Sequence, residues 1–180
     1  MQALLLIDLE QGFLENDRPP RNNLNAEKNI ASLLELFRKQ NKPVIHIQHV
    51  SIDPQSVFSK PSGYAFMHGF EPLADEVVFQ KHVNSAFIGT NLEQYLKEQG
   101  INQLIMVGFT LPHCVSTTAR MAGNLGFDTT VISDATVSYA LTDVDGKFLE
   151  ADCIHHCHLA ALNEEFAKIM TTQQYTDKEK

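Results

Sequence analysis

The sequence predicts an α/β fold built from βαβ units around a mostly parallel sheet. Short apolar runs alternate with amphipathic segments along the chain, the pattern of strands joined by crossover helices. A length of 180 residues suits one domain with a substantial core and little room for a second. In addition, Asp8, Lys81 and Cys114 each follow an apolar run, at the strand ends where open parallel sheets form their ligand crevice.

Ala3 to Ile7 reads as the first strand. Asn25 is placed to cap a helix reaching about Gln40, because Ile30, Leu33, Leu34 and Phe37 fall on one face. Pro43 opens a second strand, Val44 to His49. Residues 50–73 hold Pro54, Pro61, Gly63, Gly69 and Pro72 with little periodicity and read as a long loop, and such loops in compact domains are commonly functional. Val77 to Phe79 is a third strand running into Lys81, and Leu92 to Gln99 a helix stopped by Gly100. Ile101 to Val107 is a fourth strand. A helix from about Cys114 ends at Gly126, and Thr129 to Ile132 is a fifth strand closing at Asp134. Ala151 to Ala167 reads as the final helix, Lys168 to Thr171 as a sixth strand, and residues 173–180 as a polar, frayed tail.

Composition excludes several functions. With 14 Lys+Arg against 22 Asp+Glu, the formal charge is -8 and no basic cluster stands out, so nucleic acid is not an expected partner. The apolar start reaches Asp8 almost at once and has no basic leader, which predicts neither a signal peptide nor a membrane span. Three cysteines make no disulfide framework, so a reducing, cytoplasmic setting is expected. No organic cofactor is expected either: the chain contains no G-x-G and no G-x-x-x-x-G-K-[ST].

Cys114 lies where an apolar run ends in a Gly/Pro break and a helix-like segment begins. Unpaired N–H groups at a helix start favour a thiolate and can receive an oxyanion during acyl transfer. Cys114 is therefore expected to be the most reactive of the three cysteines near neutral pH. Asp8 is a candidate to take the thiol proton, with Lys81 steadying the charges. Taken singly, Asp8 reads first as a helix or turn cap and Lys81 as a solvated surface lysine, while Cys114 reads equally as a packed core thiol; their coincidence is what points to chemistry.

The segments Leu6–Phe13, Lys81–Thr90, Gly108–Arg120 and Val131–Thr136 together resemble the isochorismatase-like cysteine hydrolases, a family that includes nicotinamidases and N-carbamoyl amidohydrolases. The resemblance spans roughly Ala3 to Thr172. It implies a three-layer α/β/α fold with about six strands and Rossmann-like topology, and a homo-oligomer, dimer or tetramer. It further implies Asp8 as general base and acid, Lys81 as its electrostatic partner and Cys114 as nucleophile. A cis peptide between Phe109 and Thr110 is implied as well, with the Thr110 and Cys114 N–H groups as oxyanion hole. The substrate expected on these grounds is a small molecule with an amide, carbamoyl or ureido C–N bond.

Two departures from the family pattern matter. Glu10 stands where many members carry an amide, and a second carboxylate beside Asp8 tends to raise one of the two pKa values. Ser51 stands where nicotinamidases place a metal-binding His, so no metal is expected. Were one present, His49, Asp53 and His68 would be the first ligands to consider. The Cys153–His158 segment offers Cys153, Cys157 and His156 on one helix face, too few convergent ligands for an ordinary zinc site. His46 and His49 point to opposite faces of their strand, with His49 nearer the pocket. Phe13, Phe58, Phe66 and His113 are further candidates to line a pocket for a small planar substrate, and each serves equally as ordinary packing. Asn84 to Phe87 is expected to form a turn positioning Lys81. Two alternatives stay open at this point: vinyl ether hydrolysis of the isochorismate type with Asp8 as acid, and a non-hydrolytic sensor using Cys114.

Overall fold

The computed structural model describes residues 1–179. Six parallel strands form one sheet, β1 (Gln2–Ile7), β2 (Val44–His49), β3 (Val77–Lys81), β4 (Gln103–Phe109), β5 (Asp128–Val137) and β8 (Lys168–Met170), in the order β3-β2-β1-β4-β5-β8. The chain runs outward one way from β1 through β2 to β3, then returns to the other side of β1 with β4. The switch point lies between β1 and β4, where Ile7 is paired with Gly108.

Helices cover both faces. Along β1, Ala3, Leu5 and Ile7 face one core with α3 (Leu92–Glu98), α4 (Ser116–Asn124) and α5 (Ala151–Leu162), while Leu4 and Leu6 face a second with α1 (Ala26–Lys39) and α6 (Thr172–Lys178). The period-two alternation of a strand buried on both faces explains why β1 is apolar throughout. Gly108 permits the close approach at the switch point. Its φ is +123°, and a Cβ there would lie 2.0 Å from the Ile7 carbonyl oxygen.

The structure alters several sequence expectations. The final helix stops at Leu162 rather than Ala167, because the chain turns through Glu164, whose φ is 68°. Strand β5 runs on to Val137. Asp134 does not end it, since its carboxylate accepts from the Thr172 N–H at 2.7 Å and hydroxyl at 2.8 Å and is thereby satisfied inside the fold. Strand β4 is shifted two residues toward its carboxyl end. Asn25 occupies the N-cap position of α1 without a side-chain capping bond. The loop after β2 contains a 3-10 turn at Val57–Ser59 and a single helical turn, α2 (Pro61–Tyr64), and a small hairpin pairs β6 (Leu141–Thr142) with β7 (Phe148–Leu149).

Of the tail expected to fray, residues 173–178 lie in helix α6, and Lys180 lies outside the described residues. Thr171 and Gln174 form a capping box. Tyr175 is buried against Phe37, and its hydroxyl donates to Gln2 Oε1 at 2.9 Å. Among the described residues no helix is long and apolar enough to cross a membrane, and all three cysteines are free thiols. Truncating a buried aromatic leaves a large cavity, so Tyr175→Ala should lower unfolding stability by about 3 kcal/mol or more in urea titrations. A loss under about 0.5 kcal/mol, the range of surface changes, would mean that the helix does not dock.

Candidate active site

The strand ends bring Asp8, Lys81 and Cys114 together. Asp8 follows β1 directly with a φ of 53°, Lys81 ends β3, and Cys114 lies in a five-residue π-type turn, Leu111–Val115, between β4 and α4. Strands β3 and β1 are separated by β2, so Lys81 must cross about 9 to 10 Å, two strand spacings, to reach Asp8. A long unbranched side chain does so. Its Nζ donates to Asp8 Oδ2 at 2.8 Å and to Cys114 Sγ at 3.3 Å, and it lies 3.2 Å from His49 Nδ1. Since an ammonium has only donors, His49 Nδ1 is the acceptor in that contact. The segment after β3 is pinned by the Ala86 N–H, which donates to the buried Thr118 hydroxyl of α4 at 3.1 Å. Residues 84–87 thus tie the segment that follows Lys81 to α4.

Asp8 and Lys81 are fully buried. Burial alone would lower the Lys81 pKa, but the Asp8 carboxylate and the Cys114 sulfur outweigh it and the net shift is upward. The Cys114 thiol is pushed well above its ordinary value, first by burial and then by the Asp8 carboxylate, with Lys81 pulling the other way. At rest Cys114 is thus a thiol, with Asp8 beside it as the acceptor for its proton. Asp8 and Lys81 already neutralise each other, and a thiolate would add an unbalanced anion to a buried site. Cys114 sits in the π-type turn that runs directly into α4. With Cys153 and Cys157 exposed and Cys114 buried, the two outer cysteines are the ones a reagent meets first.

Glu10 is fully buried beside this cluster. Its Oε1 accepts the His49 N–H, and Oε2 has no hydrogen-bond partner. Burial, reinforced by the charge of Asp8, pushes its pKa up to about 9. At neutral pH Glu10 is a neutral carboxylic acid, so the local charge pattern is that of an amide.

A carboxylate oxygen of Asp8, a ring nitrogen of His49 and the Cys114 sulfur lie within 4.8 Å of one another, a spacing that a metal ion could bridge. Lys81 Nζ, however, is within 3.3 Å of all three residues' donor atoms and occupies the centre a metal would take. The trio coordinates an ammonium. Asp53 and His68 are exposed, and His68 pairs with Glu71 at 3.5 Å. On α5, His155 turns inward to Ser138 Oγ and the Ser133 carbonyl, while Cys153, His156 and Cys157 face outward. His46, on the opposite face of β2 from His49, contacts Glu76, which also pairs with Arg38.

A cavity of ≈ 220 Å³ opens beside Thr110 and is lined by Phe13, Arg18, Pro112, His113 and Tyr139, among others. The Thr110 hydroxyl lies 3.0 Å from His113 Nδ1. The Phe109–Thr110 peptide is cis. Of the pocket residues named from sequence, Phe13 and His113 line this cavity. Phe58 packs tilted behind Phe13, with centroids 4.6 Å apart, and meets His49 edge-on at 5.9 Å. Phe66 does not reach the cavity, packing instead against His46 at 5.5 Å. Arg18 and Tyr139 went unnamed in the sequence reading. Tyr139 lies just past β5 at the same end of the sheet as Asp8 and Cys114, which was the available signal. Arg18, inside an irregular loop, gave none.

An isochorismatase domain model matches residues 2–174. YrdC of Bacillus subtilis, an uncharacterized isochorismatase family protein, is 47% identical over 174 residues, covering 96% of this chain and 93% of its own. The crystal structure of a putative hydrolase of the isochorismatase family from Chromobacterium violaceum superposes with a TM-score of 0.94 at 37% identity, covering 98% of this chain and 92% of that one. Maleamate amidohydrolase of Pseudomonas putida is 28% identical over 150 residues, 73% of this chain and 70% of its own. With its parallel sheet, its helix layers and a family match across nearly its whole length, this chain belongs to the isochorismatase family of hydrolytic enzymes.

Proposed function

We propose that the protein is a cysteine hydrolase that cleaves a C–N bond of a small molecule through a covalent Cys114 intermediate. The observation that carries this reading is Lys81 Nζ bonded at once to Asp8 Oδ2 and Cys114 Sγ in a buried cluster at the sheet's switch point. The likeness to maleamate amidohydrolase supports an amide substrate. A sensor needs an exposed, acidic thiol, whereas Cys114 is buried and held protonated, which favours hydrolysis.

The raised thiol pKa sets the order of events. Asp8 removes the Cys114 proton as sulfur attacks the carbonyl carbon, so the thiolate never accumulates. The carbonyl oxygen becomes an oxyanion held by the N–H groups of Thr110 and Cys114. The Thr110 N–H donates to no backbone carbonyl among the described residues outside the helices and strands. Asp8 then gives its proton to the nitrogen as the C–N bond breaks, leaving a thioester and a free amine or ammonia. Water, deprotonated by Asp8, attacks the thioester, and the released sulfur takes the proton back. Throughout, Lys81 balances whichever partner is negative, and His49, held through its backbone by neutral Glu10, fills the remaining side of the ammonium.

Cys114→Ala should abolish amide hydrolysis, and Asp8→Asn or Lys81→Ala should each lower kcat by at least about a hundredfold. Combining either with Cys114→Ala should cost little more, because residues acting as a unit are non-additive. Vinyl ether cleavage that survives Cys114→Ala would assign the chemistry to Asp8 alone.

Because Lys81 holds the place of a metal, enzyme purified without a histidine tag and dialysed against EDTA should keep its rate. Activity lost on chelation and restored by zinc, iron or manganese would contradict this.

Glu10 yields a stability prediction with a definite sign. Its folded pKa, about 9, lies above the ordinary 4.5, so the native state binds the extra proton between those values. Its contribution is therefore fully present below about pH 4.5 and is lost as pH rises through 9. Glu10→Gln carries no such proton, so its urea midpoint should gain on wild type steadily from pH 5 to 9. A constant difference across that range would show that Glu10 is ionised in the native protein.

A further inference from the structure

Arg18 is the one charged side chain lining the cavity beside Thr110 at neutral pH, since burial holds His113 below its ordinary pKa. The guanidinium is already ordered. Its Nε and Nη2 donate to the Gly12 carbonyl at 3.2 and 2.8 Å, and its Cζ lies 5.2 and 5.4 Å from the ring centroids of Phe13 and Phe58. Yet among the described residues it has no carboxylate partner, and Nη1 has no protein acceptor. Arg21, close by in sequence, shows the contrast: it is paired with Glu27 at 2.7 Å. The Arg18 guanidinium stands among Phe13, Pro112 and Leu141 and the neutral polar groups of Thr110, His113 and Tyr139, with no anion to pair with among the described residues.

We propose that Arg18 is a specificity-determining residue and that the substrate is a small amide bearing a carboxylate, whose reacting carbonyl meets Cys114 and Thr110 while the carboxylate pairs with Arg18. This rests on the hydrolase reading above. The cavity is smaller than the roughly 300 Å³ at which pockets for drug-sized ligands begin, which limits the substrate to a small molecule. One guanidinium, with no second cation among the described lining residues, matches the single charge and planar fork of a carboxylate better than a phosphate dianion.

The test compares succinamate, an amide with a carboxylate, against the uncharged diamide succinamide. Wild type should prefer succinamate. Arg18→Met should lower the ratio of the two kcat/KM values at least about tenfold, mainly through KM, and Arg18→Lys should recover part of it. Taking the ratio cancels any general damage from the substitution. An unchanged ratio in Arg18→Met overturns the proposal while leaving the hydrolase reading in place. Equilibrium binding of succinamate to the Cys114→Ala protein separates the two ideas from the other side. Saturable binding that is lost on adding Arg18→Met, with neither amide turned over by wild type, keeps the carboxylate subsite and sinks the hydrolase reading. No saturable binding together with no turnover sinks both.

Discussion

The buried ion pair between Asp8 and Lys81 is the constraint on which the site depends. Neither group reaches solvent, so each is tolerable only because the other is present, and removing one partner of such a pair typically costs about 3 to 5 kcal/mol. The pair also dictates topology. A carboxylate at the end of β1 and an ammonium from β3 can meet only if β2 between them ends in a side chain that lets the lysine pass, and His49 does so while accepting from it.

Charge neutrality follows from the same burial. One anion and one cation balance, so the neighbouring titratable groups are driven to their uncharged forms: Cys114 as thiol, Glu10 as acid, His49 as neutral ring. In the proposed hydrolysis, such a site stores its nucleophile in an inert state. Reactivity then arises when a substrate carbonyl offers the sulfur somewhere to place its charge, which confines the chemistry to molecules that fit.

Much of this was legible in the sequence because strand ends are marked by abrupt changes in polarity. Asp8, Lys81 and Cys114 each stand at such a change, and the βαβ alternation places all three at one end of the sheet. What was not legible depends on distant partners. Asp134 looked like a strand terminator until Thr172 supplied its hydrogen bonds, and the polar tail looked unstructured because the burial of Tyr175 depends on Phe37 and Gln2, far away in the chain. The surroundings of the Cys114 thiol depend on distant residues in the same way. A local motif reveals a helix start, but not that a carboxylate from β1 is buried against the sulfur. Phe66 and Arg18 sit in irregular loops, where no periodicity links position to direction.

The position of β3 has a further meaning for how the enzyme fails. Asp8 and Cys114 issue from the two central strands, whereas Lys81 is supplied by an edge strand paired only to β2. Edge strands fray before sheet centres do. Among the three, Lys81 is the one whose strand has a neighbour on one side alone, held at its beginning by the Arg38–Glu76–His46 contacts. Opening of that margin would leave the Asp8 carboxylate in an apolar interior without its cation, a cost that falls on the site before it falls on the core.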